Sequence, residues 1–201
     1  MRNLPEWPVI LFAAAVRGAI AVPLNAWWTG AELHYALADS GARLLLVDGE
    51  RHERIAPHLA DLPELGGVIV TRGTAPGADA LHDIIGPANG WADLPETPFP
   101  QVDLATDDEA TIFYTSGTTG SPKGALGTHR NLMSNILSSG YVGARTAMRR
   151  GETPPEPAPK KLLTVIPLFH VTACSAGLMG VIASGSCMVM MRRWNTVQAM
   201  Q

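Results

Sequence analysis

The sequence TIFYTSGTTGSPKGA occupies residues 111–125 and joins a strand-like run to a loop rich in glycine and hydroxyl side chains. Residues 111–114 are β-branched or aromatic, which favours a strand. Glycines in the loop let successive backbone N–H groups point at a single anion, and the Thr and Ser hydroxyls add further donors. Lys123 supplies a full positive charge. The segment therefore predicts a polyphosphate-binding loop that follows directly after a strand.

The spacing of this loop differs from the two common nucleotide-binding patterns. A P-loop requires G-x-x-x-x-G-K-[ST], whereas Lys123 follows Gly120 by three residues and precedes Gly124. The dinucleotide fingerprint G-x-G-x-x-G is also absent from this stretch. A flexible hairpin with a solvated lysine is the alternative interpretation of the loop taken alone.

Residues 114–125, YTSGTTGSPKGA, closely resemble the signature loop of the adenylate-forming superfamily of acyl-CoA synthetases, luciferases and peptide-synthetase adenylation domains. Two further stretches agree in order and approximate spacing. Residues 18–48 contain VPLN and LADSGA and look like the segment that precedes the loop in fatty and aryl acyl-CoA synthetases. Residues 167–173, PLFHVTA, resemble the family's motif beside the acyl substrate. The resemblance covers nearly the entire chain.

This resemblance implies a two-step ligase that uses ATP, Mg²⁺ and coenzyme A to convert a carboxylic acid into an acyl-adenylate and then a thioester. The residues that it places on the ATP phosphates are Thr115, Ser116, Gly117, Thr118, Thr119, Gly120 and Lys123. Thr119 would also help to position Mg²⁺. Lys123 and His170 are the implied catalytic residues, with His170 near the acyl carboxylate. A core or helix-start role is the alternative for His170, which lies between apolar neighbours.

The resemblance also implies elements that the 201 residues do not contain. These are a glutamate motif for Mg²⁺ and adenine, an aspartate for the ribose, a hinge and a C-terminal domain with a catalytic lysine. We therefore expect a middle piece of the large N-terminal domain, which alone cannot complete adenylation. Three alternatives stay open: part of an active ligase for a fatty or other hydrophobic acid, a truncated, inactive remnant that at most binds nucleotide phosphates, or a nucleotide hydrolase of another family.

Short apolar runs alternate with helical patterns along the chain, which predicts an α/β fold with a largely parallel sheet and flanking helices. The resemblance identifies this fold as a partial copy of the adenylate-forming N-terminal domain. We expect an α/β subdomain at residues 1–103, with a Pro- and Gly-rich linker at 73–103, and an α/β segment at 104–201 that carries both motifs. The predicted strands are 19–23, 43–47, 67–71 and 111–114, and the predicted helices are 30–40, 50–59 and one from Thr128 toward Gly140.

The composition argues against several other classes of protein. Only 16% of residues are charged and the net charge is −3, which does not suit a nucleic-acid-binding face. Residues 162–191 contain no charged side chain, but proline and glycines interrupt them, so we predict two buried strands around a helix rather than a membrane span. The apolar start of the chain is likewise interpreted as globular rather than as a secretory signal. We expect a cytoplasmic protein and leave peripheral membrane association open.

Four smaller groups of residues receive structural interpretations. Cys174 and Cys187 are predicted to be buried, reduced thiols. The pair Trp27 and Trp28 is interpreted as a packing anchor, with a ligand-facing role as the alternative. The acidic run at residues 107–109 is interpreted as a solvated turn rather than a metal site. Thr128 is predicted to be the N-cap of a helix that contains His129 and Asn131.

Overall fold

Helices and strands alternate along the chain, as expected for an α/β fold. The computed structural model describes residues 1–115, 120–153, 158–191 and 194–200. The helices are α1 (Glu6–Val16), α2 (Gly30–Asp39), α3 (Gly49–Ile55), α4 (Leu81–Ile85), α5 (His129–Arg149), α6 (Met179–Ala183) and α7 (Thr196–Ala199). The strands are β1 (Leu44–Asp48), β2 (Gly67–Thr71), β3 (Asp79–Ala80), β4 (Glu109–Thr115), β5 (Lys123–Thr128), β6 (Lys161–Thr164) and β7 (Cys187–Met190). Shorter helical turns are the 3₁₀ segments Ala56–Asp61 and Ala88–Asp93 and the π-helix Thr172–Leu178.

The described strands form three small sheets. Strands β1, β2 and β3 are parallel, with Val47 opposite Val70 in the first pair. Strands β6 and β7 are also parallel, and a helical segment connects them. Strands β4 and β5 form an antiparallel hairpin. The predicted α/β class with mainly parallel pairing and flanking helices is therefore confirmed, and the hairpin is its antiparallel exception.

Helix α2 begins where the sequence predicted. The Thr29 hydroxyl accepts a hydrogen bond from the Glu32 backbone N–H, and the Glu32 carboxylate accepts one from the Thr29 backbone N–H at 2.8 Å. This reciprocal capping box satisfies two donors that the first helical turn cannot pair internally. The helix ends at Asp39, and Gly41 follows the C-cap Ser40 with a φ of +60°, which suits glycine.

The predicted strand at residues 19–23 is wrong. Only Ala21 forms a bridge, to Thr111, and its backbone hydrogen bonds to Ala110 and Ile112 are each 2.9 Å long. The segment is extended, but within the described residues it lacks the continuous pairing that defines a strand. The predicted linker at 73–103 is also more ordered than expected, since β3, α4 and a 3₁₀ turn lie within it.

The C-terminal half buries fewer of its apolar side chains than the sequence predicted. Strands β6 and β7 surround a helical segment as predicted, but Leu162 and Val189 are exposed. Met188 and Met190 pack against the core from one face of β7. Cys187 lies on the opposite face and is exposed, so the prediction of two buried thiols holds only for Cys174. Burial raises the pKa of the Cys174 thiol to about 12, and both cysteines are free.

Helix α5 is longer than predicted. Thr128 forms the expected cap with Asn131, but the helix continues to Arg149 and includes two glycines at residues 140 and 143. No helix within the described ranges is both long enough and apolar enough to cross a bilayer. The division of the chain at residue 103 stays a prediction.

Helix α2 packs closely on the end of α3. A Cβ atom at Gly30 would lie 2.2 Å from the backbone oxygen of Arg54 and 2.9 Å from Nε2 of His58. Gly49 occupies the same first position of α3, and a Cβ there would meet no atom within 4 Å. The two glycines therefore form a matched pair, one crowded and one open.

We predict that Gly30→Ala lowers the free energy of unfolding by about 1–3 kcal/mol, because the added methyl group forces α2 away from α3. Gly49→Ala should leave it unchanged or raise it by up to about 1 kcal/mol, since alanine favours the helix. Urea denaturation of both variants checks this. Equal effects of the two substitutions would contradict the packing described here.

Candidate functional site

The predicted phosphate loop is the turn of the β4–β5 hairpin. Thr115 pairs with Lys123 across the hairpin, and the Thr115 hydroxyl lies 3.5 Å from the Lys123 backbone oxygen. Directly opposed residues of an antiparallel pair project from the same face, so the Thr115 hydroxyl and the Lys123 ammonium group share one side of the loop. Gly120 adopts a φ of +134°, which requires glycine. Ser116, Gly117, Thr118 and Thr119 lie outside the described residues.

Gly124 lets the two strands of the hairpin approach closely. A Cβ atom at this position would lie 2.7 Å from Cγ2 of Ile112 and 3.4 Å from Cζ of Tyr114. Neither neighbour can retreat freely, because both belong to the paired strand β4. A side chain at residue 124 would therefore displace the strand that leads into the loop.

Tyr114 attaches the base of the loop to α2. Its hydroxyl donates a hydrogen bond to the Asp39 carboxylate at 2.6 Å and lies 3.2 Å from the Ala36 carbonyl oxygen. Its ring packs edge-on against Trp28, with 6.0 Å between the ring centroids. Burial, reinforced by the hydrogen bond to Asp39, raises the pKa of Tyr114 above its usual value. The phenol therefore stays protonated and holds the last residues of β4 against α2.

We predict that Tyr114→Phe lowers the free energy of unfolding by about 1 kcal/mol at neutral pH, since the ring is retained and one hydrogen bond is lost. Because the folded state raises the Tyr114 pKa, the unfolded chain loses this proton first. The contribution of the hydroxyl is then fully present below about pH 10 and declines above it. Denaturation of both proteins between neutral and alkaline pH checks the prediction.

The matched control is Tyr141→Phe, because Tyr141 is 67% exposed on α5. This substitution should change the unfolding free energy little at any pH. If the wild-type protein and Tyr114→Phe differed in unfolding free energy by the same amount at neutral and at strongly alkaline pH, the proposed stabilising role of the protonated phenol would be wrong.

His170 lies in a turn of residues 167–170, which we name the His170 turn. The turn is closed by a hydrogen bond from the His170 backbone N–H to the Pro167 carbonyl at 2.9 Å. Imidazole Nδ1 accepts from the Thr172 backbone N–H at 3.2 Å, so the proton of the neutral ring is on Nε2. The side chain is exposed. The ring is thus oriented by its own backbone and presents an N–H donor outward.

Asn3 ties the His170 turn to the beginning of the chain. Its side-chain amide donates to the Ile166 carbonyl at 3.0 Å, and its amide oxygen accepts from the Leu168 backbone N–H at 2.8 Å. Leu168 itself is buried in the core with Trp7. Asn3 was not predicted as a site residue, because its partners lie 163 and 165 residues away and leave no local signal in the sequence.

The two tryptophans contact both parts of the candidate site. Trp27 packs edge-on against Phe169 of the His170 turn, with 5.3 Å between centroids. Trp28 contacts Tyr114 at the base of the loop. The predicted role as packing anchors fits these contacts, but the sequence did not show that the anchors join the two motifs.

The structure brings Thr115, Gly120 and Lys123 together on one hairpin and places His170 on a separate turn. In the acidic run at 107–109, Asp107 and Asp108 lie before the hairpin and Glu109 begins β4. Arg130 Nη2 is 2.8 Å from the Asp107 carboxylate. The hydrogen bond from Arg130 lowers the pKa of Asp107, which is exposed, in agreement with a solvated turn. Within the described ranges no three His, Cys, Asp or Glu residues cluster as metal ligands. The roles assigned to individual site residues remain predictions.

Comparison with known proteins gives one family. The family described as "AMP-binding enzyme" matches residues 1–201. Among curated relatives, 4-coumarate--CoA ligase 2 of Oryza sativa subsp. japonica is 28% identical over 96% of the chain and 34% of its own length. Long-chain-fatty-acid--CoA ligase FadD15 of Mycobacterium tuberculosis is 33% identical over 84% of the chain and 26% of its length. The chain thus spans about a third of the length of these relatives, or less.

Solved structures agree on the fold. The anthranilate CoA ligase AuaEII in complex with anthranoyl-AMP superposes with a TM-score of 0.77 at 24% identity, covering 94% of the chain and 34% of that protein. ATP-bound MatB from Rhodopseudomonas palustris gives 0.69 at 26% identity, covering 96% of the chain and 34% of that protein. In both comparisons, nearly all of the chain superposes on about a third of the matched protein.

Proposed function

The chain belongs to the AMP-binding enzyme family, and we propose that it supplies the ATP-phosphate loop and the acyl-side turn of an ATP-dependent acid:CoA ligase. The proposal depends on one observation: a glycine-rich loop closed by the directly opposed pair Thr115 and Lys123, whose side chains project from the same face of the hairpin. A loop of this kind offers backbone amides, hydroxyls and one cation to a triphosphate.

The reaction proceeds in two displacements. A carboxylate oxygen attacks the α-phosphorus of ATP, the bond to the β-phosphate oxygen breaks, and pyrophosphate leaves. The coenzyme A thiol, after losing its proton, attacks the acyl carbonyl, and AMP leaves with the bonding pair of the mixed anhydride. Both steps bring anions together, so charge neutralisation and placement lower the barrier.

The residues of the hairpin act on the phosphates. The Lys123 ammonium group neutralises part of the triphosphate charge, and Thr115 and Gly120 bind phosphate oxygens through hydroxyl and backbone N–H groups. Ser116, Gly117, Thr118 and Thr119 complete the set, as the family loop implies. Mg²⁺, when bound, neutralises phosphate charge, and a hydroxyl such as that of Thr119 is an oxygen ligand that this ion accepts.

His170 acts on the acid. Its Nδ1 is occupied by the Thr172 backbone N–H, which leaves the Nε2 proton free to hydrogen-bond a carboxylate oxygen. A hydrogen bond from Nε2 orients the carboxylate without abolishing its nucleophilicity. We propose a fatty or aryl acid as substrate, because the curated relatives include ligases named for 4-coumarate and for long-chain fatty acids.

The test is carboxylate-dependent exchange of pyrophosphate into ATP by the polypeptide that the complete reading frame encodes. Palmitate and 4-coumarate serve as the two probe acids. Exchange that requires either acid supports the proposal. Equilibrium binding of MgATP without exchange supports the alternative of a remnant that binds only nucleotide phosphates, and neither exchange nor binding overturns both.

We predict that Lys123→Ala lowers kcat/KM for ATP in this exchange about 100-fold, because one preorganised charge contact to the phosphates is lost. Lys123→Arg should retain part of the activity. The control is Lys160→Ala, because Lys160 is exposed and its described hydrogen bonds use only its backbone. Full activity of Lys123→Ala would remove the proposed role of this residue.

For His170 we predict a selective effect on the acid. His170→Ala should raise KM for the carboxylate about tenfold and leave KM for ATP unchanged, since one neutral hydrogen bond is lost. His82→Ala is the control, because His82 is an exposed histidine of α4 outside both motifs. An equal rise in both Michaelis constants would argue against contact between His170 and the carboxylate.

A further inference from the structure

We propose that Trp27 is a positioning residue that sets the place of the His170 turn relative to the β4–β5 hairpin. This inference rests on the proposed function, because it assigns a geometric role within the same site. The observation that carries it is the contact of two successive tryptophans with two different site elements. Trp27 packs on Phe169, next to His170, and Trp28 packs on Tyr114, next to Thr115.

The backbone that carries the tryptophans is held firmly. Arg51, only 3% exposed at its side chain, donates from Nε to the Ala26 carbonyl at 2.7 Å. Nη1 of Arg54 lies 3.1 Å from the Trp28 carbonyl oxygen and 3.3 Å from that of Ala26. Charge-assisted hydrogen bonds of this kind are stronger than neutral ones. The tryptophan segment, residues 25–28, therefore has a fixed position on α3.

The His170 turn is held at three places. Leu168 is buried in the core with Trp7, Asn3 hydrogen-bonds to Ile166 and Leu168, and Trp27 packs on the ring of Phe169 beside His170. The ring planes of that pair meet at 77°, an edge-to-face arrangement. The guanidinium of Arg2 lies 5.5 Å from the centre of the Trp27 ring and covers the indole. Trp27 is thus in contact with residues next to both Asn3 and His170.

Exposure argues that Trp27 has a role beyond burial of apolar surface. The residue is 53% exposed, whereas the core tryptophan Trp7 is 8% exposed. A half-exposed indole gains less from the hydrophobic effect than a buried one, so its edge contact with Phe169 matters more for where the turn lies than for overall stability. Loss of the ring should therefore affect His170 before it affects the fold.

The first experiment compares Michaelis constants in the pyrophosphate exchange assay. Trp27→Ala should raise KM for the carboxylate about threefold to tenfold, the range expected when an aromatic pair is lost, and leave KM for ATP unchanged. Trp27→Phe should restore the wild-type value, because a ring edge is retained. Trp194→Ala is the control, since Trp194 is 62% exposed and outside both motifs. Unchanged constants, or an equal rise in both, would overturn the inference.

A second measurement separates this inference from the proposed function. Trp27→Ala, Phe169→Ala and the double variant form a cycle in chemical denaturation, which requires no activity. A double variant less destabilised than the sum of the single variants confirms the contact. Additive effects overturn the inference even in an active protein. If the wild-type protein shows no exchange, the proposed function fails, while a non-additive cycle still supports the attachment of the turn through Trp27.

Discussion

The buried guanidinium of Arg51 lies between the carboxylates of Asp48 and Glu50 and the carbonyl of Ala26. A charge removed from water is tolerated only where such partners surround it, so the three groups must stay in place together. Asp48 ends β1, Glu50 lies in the first turn of α3, and Ala26 precedes the two tryptophans. The interactions of Arg51 thus join the parallel sheet to the tryptophan segment, residues 25–28. That segment contacts both the His170 turn and the β4–β5 hairpin, so the relative position of these two elements depends on Arg51.

The β4–β5 hairpin differs from a P-loop in the element that follows the loop. In a P-loop the helix N-terminus adds its dipole to the binding of phosphate. Here β5 follows the loop, and α5 begins only at His129, beyond the strand. In the proposed function, backbone amides, hydroxyls and Lys123 would therefore bind phosphate without a helix dipole. Close approach of the strands at Gly124 and the hydrogen bond from Tyr114 to Asp39 hold the two strands that carry the loop.

Much of the fold followed from local signals in the sequence. The cap at Thr29, the strand at 67–71 and the cap at Thr128 were predicted because each depends on residues within four positions of one another. The strand at 19–23 was predicted wrongly, because its apolar pattern could not show that only Ala21 would find a partner. Exposure of Cys187 and the length of α5 likewise depend on what packs nearby rather than on local pattern.

The candidate site likewise contains some residues that local sequence predicted and others that it did not. Thr115, Gly120 and Lys123 were predicted as site residues because the motif is contiguous, whereas the pairing of Thr115 with Lys123 across the hairpin was seen only in the structure. The contacts of Asn3 and Trp27 with the His170 turn span more than 140 residues in sequence, so periodicity and capping rules contain no trace of them. Long-range contacts of that kind appear only once the chain is folded.

A π-helix, Thr172–Leu178, follows shortly after His170 and leads into α6. A π-helix closes each turn with an i→i+5 hydrogen bond, one residue more than in an α-helix. Loss of one residue between 172 and 178 would let an ordinary helix run into α6, and the residues before it would rotate by about 100° about the helix axis. The direction of the imidazole is therefore coupled to the number of residues in this segment.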